Sequence, residues 1–370
     1  VITSIALTDV RINDDLMSIT WADGETTDVP ILWLRDSCPC PACLHPSGQR
    51  LLEIVRIADE VAVDRTRLTG TAVEVRWLPD GHLSRYPAAM LRTPAPAEHT
   101  TPSRRTGGGR ALRWHQHEAV AASGSARRQW LADVVSDGFG LLRGVPDREG
   151  EVVRVAQLFG YVRITNYGRL FDVRSVVDPG NLAFTSLALG LHTDNPYRAP
   201  APTLQLLHCL RSAGAGGETI LVDGFRVAEA MALLDPSGFL LLSTTPVRFR
   251  YADATADLVA DSPVIERDAR GNIIGIRYNT RSICPPRNPP AESAAWYEAY
   301  LTFARLLDAP EVQVRIALRP GELVLMDNRR TLHGRTGFEA ATGERHLQGC
   351  YADIDGLLSE LAVLSRTEPR

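Results

Sequence analysis

Over the first ninety residues, apolar and polar side chains alternate in short runs, MSITWAD, VPILWLRDSC and AVEVRWLP, each closed by turn-forming residues. Alternation with period two sends one face of a pleated strand inward and the other to water, so residues 1–93 predict a small β-rich unit. The pattern lapses in TPAPAEHTTPSRRTGGGR, residues 93–110, where Pro, Thr and Gly carry no period; a linker is expected over 94–118. Helical spacing follows in RRQWLADVVSDG and EGEVVRVAQLFG, on either side of a short strand FGLLRGV. Six further runs predict strands: TLQLLHCL, ETILVDGF, PVRFRYA, IIGIRYN, ELVLMDN and HLQGCYAD. A long helix, ESAAWYEAYLTFARLLD, interrupts them, and an amphipathic DGLLSELAVLS closes the chain. Residues 119–370 therefore predict a mixed, mainly β domain, a jelly-roll core with flanking helices.

Composition narrows the function classes. The chain has 370 residues, 44% hydrophobic and 23% charged, enough for a small and a large domain. No apolar run is long enough to cross a membrane, and the opening VITSIALTDVRINDD has no secretory pattern, so a soluble, cytoplasmic protein without a membrane partner is expected. A net charge of -4 and a pI near 6.2 lack the basic footprint of a nucleic-acid binder. Every basic residue other than histidine is Arg, and the absence of Lys excludes Schiff-base chemistry. Three of the six cysteines crowd into CPCPAC while Cys209, Cys284 and Cys350 are scattered, a distribution that suits a metal site better than a disulfide framework.

Two patterns carry metal chemistry. In GLHTDNP, His192 and Asp194 are two apart, which on a strand would place both on one face. Alone this is weak, but MDNRRTLHGR adds His333, and two His plus one carboxylate on one side of a metal leave positions open for oxidant and substrate. An anionic co-substrate needs a cation, and Arg345 in GERHLQG, with a guanidinium able to grip a carboxylate twice, is preferred over its competitor Arg335. The second pattern is Cys38, Cys40 and Cys43 in WLRDSCPCPACLHP, three thiolates able to wrap one tetrahedral, structural zinc. His45, His82 and His99 are the candidates for its fourth ligand.

Taken together, HTDNPYR, QLLHCL, GGETILVDGF, MDNRRTLHGR and RHLQGCYADID resemble the gamma-butyrobetaine hydroxylase branch of the taurine dioxygenase-like superfamily over nearly the whole chain. The resemblance implies a double-stranded β-helix with Fe(II) on His192, Asp194 and His333. It also implies 2-oxoglutarate held by Arg345 with help from Thr219, O2 as second co-substrate, and His82 as the fourth zinc ligand. A quaternary ammonium substrate would sit in an aromatic cage matching Tyr167, Phe171, Phe184 and Tyr351, since ring faces attract a cation that has no hydrogen to donate. Phe at 171 and 184 departs from the Trp and Tyr of the animal members. The acid end would meet Asn181 and Asn279, while nearby Arg281 suits a doubly charged anion and keeps a trimethylammonium phosphonate, besides trimethyllysine, as alternatives to gamma-butyrobetaine. A homodimer is implied as well. The rivals are a non-catalytic metal-binding module and a metallohydrolase using the same triad.

Overall fold

The computed structural model describes residues 6–92, 112–174, 187–212, 216–284, 286, 289–338 and 345–367, and the chain divides into two compact units, Val1–Thr101 and Pro102–Arg370. In the first, two antiparallel three-stranded sheets run Leu7–Asn13, Leu16–Trp21, Thr26–Pro30 and Ala62–Leu68, Ala72–Leu78, Leu83–Pro87. Their alternating apolar residues, Met17, Ile19, Trp21, Val73, Val75 and Trp77, are buried in one shared core. One expectation fails here. VPILWLRDSC holds a short helix, Ile31–Asp36, because Ile31, Leu34 and Arg35 recur at helical rather than strand spacing and are the residues it buries.

In the second unit the main sheet pairs, in order, Phe171–Arg174, His346–Ala352, Leu204–Arg211, Leu323–Asp327, Phe139–Arg143 and Trp114–Gln116. The last of these, with the helix His117–Ala122, builds residues 114–118 into the domain although the sequence placed them in the linker. A four-stranded sheet, Leu189–His192, Thr331–Arg335, Thr219–Asp223 and Gln313–Ile316, faces the main one. The pair forms the mainly β jelly roll expected. Strand parity sorts the central strands. Leu204, Leu206, Leu323, Leu325, Cys350 and Ala352 pack outward on residues of the helices Gly124–Asp137 and Glu151–Ala156. Their neighbours Leu207, Cys209, Val324, Met326 and Leu347 point between the sheets, against Leu221 and Ile316. Burial on both faces explains why these runs are almost continuously apolar. Any polar residue of inward parity therefore stands out.

Register carries the fold to the site. His192 lies directly opposite His333, and Thr219 opposite Arg335, on three adjacent strands. Gly334 makes that approach possible: a Cβ there would lie 2.8 Å from the Leu189 carbonyl oxygen and 3.3 Å from Leu191 N, both backbone atoms. Gly334→Ala should therefore force the two histidine-bearing strands apart. The expected loss is about 1–3 kcal/mol of stability, the usual range for overpacking, read as a lower urea midpoint together with weaker iron binding; an unchanged midpoint and iron affinity would contradict it.

Candidate active site

His192 ends its strand, and the chain then bends, so Asp194 does not lie on the strand with it as the two-residue spacing had suggested. The bend is fixed from two sides. Thr193 N donates to the Tyr278 carbonyl at 2.8 Å, and Asn328 receives Asp194 N on Oδ1 at 2.8 Å while its Nδ2 donates to the Asp194 carbonyl at 2.9 Å. His192 Nε2 comes 3.2 Å from Asp194 Oδ1, and the His192 and His333 rings are 4.3 Å apart. His192 Nδ1 donates to the Gly190 carbonyl at 2.9 Å, so this ring is the tautomer with a lone pair on Nε2. The other oxygen of Asp194, Oδ2, accepts from Gln205 Nε2 at 2.6 Å and from the Tyr351 hydroxyl at 2.8 Å.

The protonation states suit a divalent metal. Burial opposes ionisation of Asp194, but the two histidine rings beside it and the hydrogen bond from the Tyr351 hydroxyl hold its pKa well below the usual carboxylate range. Burial pushes the pKa of His333 down to about 3, which keeps its ring neutral and its lone pair free. Imidazole and carboxylate donors about 2.1 Å from one first-row metal stand about 3 Å apart when adjacent. The 3.2 Å edge fits that, and the two-His, one-carboxylate donor set suits Fe(II).

The triad opens on a cavity of about 360 Å³. Thr219, Arg345 and Arg335 line it beside the metal ligands. Arg345 shares the inward parity of Leu347, Gly349 and Tyr351, is 6% exposed, and among the described residues has no hydrogen bond or ion pair. Burial and the neighbouring Arg335 guanidinium lower its pKa to about 10. Arg335 by contrast donates to the Leu187 carbonyl at 2.7 Å. Across the cavity Tyr351 stacks on Phe171 with centroids 5.0 Å apart, and Tyr167 lies 6.3 Å from Phe171. Phe171 reaches that position because its paired residue is Gly349, where a Cβ would meet the ring at 2.5 Å.

Of the residues singled out in the sequence, Tyr167, Phe171, Tyr351 and Asn279 meet at the cavity, while Phe184 and Asn181 lie outside the described residues. Four more were missed. Tyr197 and Tyr251 stack at 5.1 Å and extend the aromatic wall, the Tyr197 hydroxyl 2.8 Å from that of Tyr167. Gln205 and Asn328 hold Asp194. Gln205 carried a signal, a polar side chain of inward parity in an apolar strand; Tyr251, on an alternating strand, carried none.

In the first unit, His82 Nε2 stands 3.4, 3.5 and 3.6 Å from the sulfurs of Cys38, Cys40 and Cys43. A tetrahedron with Zn–S of about 2.3 Å and Zn–N of about 2.05 Å requires S···N edges of about 3.5 Å. His45 instead meets Ser47 through Nδ1 at 2.7 Å, and His99 lies outside the described residues. Buried Arg35 donates to Cys43 Sγ at 3.4 Å and Asp80 at 2.8 Å, and Ser84 donates to Cys38 Sγ at 3.0 Å. Those donors offset thiolate charge around a closed site that leaves no position for substrate. Cys40→Ser should bring the bound zinc well below one equivalent and lower the melting temperature of this unit, while one equivalent of iron still binds elsewhere. Metal analysis of the purified protein checks both, and wild type without zinc would contradict the assignment.

Comparison with known proteins shows the family. Residues 114–351 match the family described as Taurine catabolism dioxygenase TauD, TfdA, and residues 9–108 match gamma-butyrobetaine hydroxylase-like, N-terminal. The chain is 36% identical to the gamma-butyrobetaine dioxygenase of Pseudomonas sp. (strain AK-1) over 95% of its length and 94% of that protein. Against the human gamma-butyrobetaine dioxygenase the identity is 31%, with 94% of each chain covered. A trimethyllysine dioxygenase of Meyerozyma guilliermondii is 28% identical over 95% of this chain and 94% of its own. Among solved structures, an asparagine oxygenase shares the fold at TM-score 0.51 and 22% identity, covering 64% of this chain and 82% of that one. The chain therefore belongs to the taurine catabolism dioxygenase family and carries the N-terminal domain of its gamma-butyrobetaine hydroxylase-like members.

Proposed function

We propose that this dioxygenase hydroxylates a small trimethylammonium acid, with gamma-butyrobetaine, converted to carnitine, as the first substrate to test. The observation that supports it is the composition of one cavity: His192, Asp194, His333 and Arg345 at one end and a wall of aromatic rings at the other. The names of relatives at 36% and 31% identity add the substrate class. His192, Asp194 and His333 would hold Fe(II), and Arg345 with Thr219 the distal carboxylate of 2-oxoglutarate. When bound, the iron and its co-substrates 2-oxoglutarate and O2 supply an oxidant able to take hydrogen from an unactivated carbon.

The remaining tasks fall to the chain itself. Gln205 and Tyr351 hold Asp194 Oδ2 by hydrogen bonds, which leaves Oδ1 directed at the histidines. The rings of Tyr167, Phe171, Tyr351, Tyr197 and Tyr251 offer π-faces to a desolvated cation, each worth roughly 0.5–2 kcal/mol. Orientation of the substrate, more than its affinity, decides which carbon faces the metal. The reading extends to a cytoplasmic homodimer working away from membrane and nucleic acid. Among the described residues no helix is long and apolar enough to cross a membrane.

Succinate release should be fastest with gamma-butyrobetaine, and an isostere with tert-butyl in place of trimethylammonium should bind at least about tenfold more weakly, because it keeps the shape and loses the charge. Equal turnover of the isostere would sink the cage. Arg345→Ala should raise the KM for 2-oxoglutarate by at least about tenfold, as expected when a buried charged hydrogen-bond partner is removed. Should Arg335→Ala do so in its place, the two arginines exchange roles.

A further inference from the structure

Beyond Arg345, on the side away from the metal, lies a second space that the reading above does not use. It is a pocket of about 200 Å³ at the place where the strands Leu204–Arg211 and Thr219–Asp223 meet their flanking loops. Cys209, Ser212, Gly216 and Gly217 line it there, and Leu318 and Arg319 line it from the stretch that follows Gln313–Ile316. Arg345 and Leu347 line both this pocket and the metal cavity. The two residues therefore stand between the spaces.

They are held very differently. Leu347 packs into the apolar cluster between the sheets, with Cys209 and Leu318. The Arg345 guanidinium makes no hydrogen bond or ion pair among the described residues, and the residue beside it is Gly217, where a Cβ would lie 3.0 Å from Arg345 Cδ and 3.1 Å from Nε. A long side chain without a bond to fix it, lying against a residue that has no side chain, can turn toward either space. The charge of the pocket is one-sided as well. Arg319, exposed at the rim, has no side-chain hydrogen bond or ion pair among the described residues, and its backbone N–H engages the Glu322 carboxylate at 2.9 Å. Burial pushes the Cys209 thiol up to about 12, so it adds no negative charge. An anion entering here meets one guanidinium at the rim and a second at the inner end.

Resting on the reading of Arg345 as the holder of the distal carboxylate of 2-oxoglutarate, we propose that this pocket is the port for dicarboxylates: 2-oxoglutarate enters through it and succinate leaves through it. The betaine uses the aromatic mouth of the metal cavity. Arg319 receives the distal carboxylate, and Arg345 takes it over and turns inward with it, since a guanidinium can keep a two-point grip on a carboxylate while its stem rotates. A port at the Arg345 end frees the dicarboxylates from passing the aromatic wall. It also lets succinate depart while the hydroxylated product is still in place.

The test follows 2-oxoglutarate exchange on iron-loaded enzyme without oxygen, by the charge-transfer absorbance of the iron and 2-oxoglutarate pair in stopped flow, with excess succinate as the chase. Ala317→Trp and Ser212→Trp place bulk at two exposed positions that line the pocket. Each should slow association and dissociation alike, by about tenfold or more, and leave the Kd unchanged, because an obstacle on the path raises the barrier equally in both directions. Arg319→Glu should slow association about tenfold at low salt through reversed steering, and the loss should fade at high salt. In wild type, saturating gamma-butyrobetaine should leave 2-oxoglutarate dissociation running. Dissociation that stops when the betaine binds means that one mouth serves both, and the port is overturned. Unchanged rates in both tryptophan variants overturn it too, as does a raised Kd with association at the wild-type rate. Those results leave the Arg345 reading standing as long as Arg345→Ala weakens 2-oxoglutarate; if Arg345→Ala binds it normally, that reading fails and the port falls with it. An enzyme that binds no betaine loses the cage reading alone, since the tryptophan variants decide the port without it.

Discussion

The pairing of Leu189–His192 with Thr331–Arg335, which sets His192 opposite His333, is the constraint on which the catalytic unit depends. Two imidazoles can share a metal only if their strands approach closely, and Gly334 permits this where any side chain would strike the Leu189 carbonyl. The third ligand is brought by other means. Asp194 lies beyond the strand, and its place is set by the reciprocal backbone bonds of Asn328 and by the link from Thr193 to Tyr278. Sheet register thus positions two ligands and a hydrogen-bonded bend the third, so the triad rests on rigid elements, as a site requiring sub-ångström placement must.

Charge in the cavity is arranged with equal economy. Asp194 is the carboxylate that faces the two histidines, and Arg345 is buried without an ion pair among the described residues, where desolvation would ordinarily forbid a bare guanidinium. A buried cation without a partner persists when its partner is a ligand, and in the proposed reaction the distal carboxylate of 2-oxoglutarate takes that part. Arg281 lines the same cavity and is likewise without an ion pair among the described residues. The two line one cavity with the metal ligands and the aromatic rings.

How much of this was legible in the sequence follows from the range of the interactions. Strand alternation and helical spacing are local, and they marked the jelly-roll strands and the long helix Pro290–Asp308. ILWLRD misled because six residues are too short for a period to show, although the helix buries Ile31, Leu34 and Arg35 and leaves Trp33 exposed. The metal ligands were readable because metal chemistry permits few residue types, even though the geometric reason offered for His192 and Asp194, a shared strand face, was mistaken. His82 could not be chosen from spacing alone, and only the fold of Ala72–Leu78 onto Leu83–Pro87 carries it to Cys38, Cys40 and Cys43. Tyr197 and Tyr251 join the wall through contacts between residues far apart in sequence, which no local pattern encodes.

Tyr351 shows why the metal site and the aromatic wall cannot be treated as independent. Its hydroxyl donates to Asp194 Oδ2 at 2.8 Å, and its ring stacks on Phe171. Burial, together with the negative charge on Asp194, raises the tyrosine's pKa well above the ordinary value, so the proton stays on the phenol and the hydrogen bond persists across the physiological range. A cation drawn to the ring face thereby presses on a group that also orients an iron-side carboxylate. Gln205, donating to the same oxygen at 2.6 Å from the neighbouring strand, limits how far Asp194 can follow. A substrate cation held on this wall, as proposed, would therefore be felt at the metal ligand through one side chain, while a second donor keeps the ligand geometry from drifting with it.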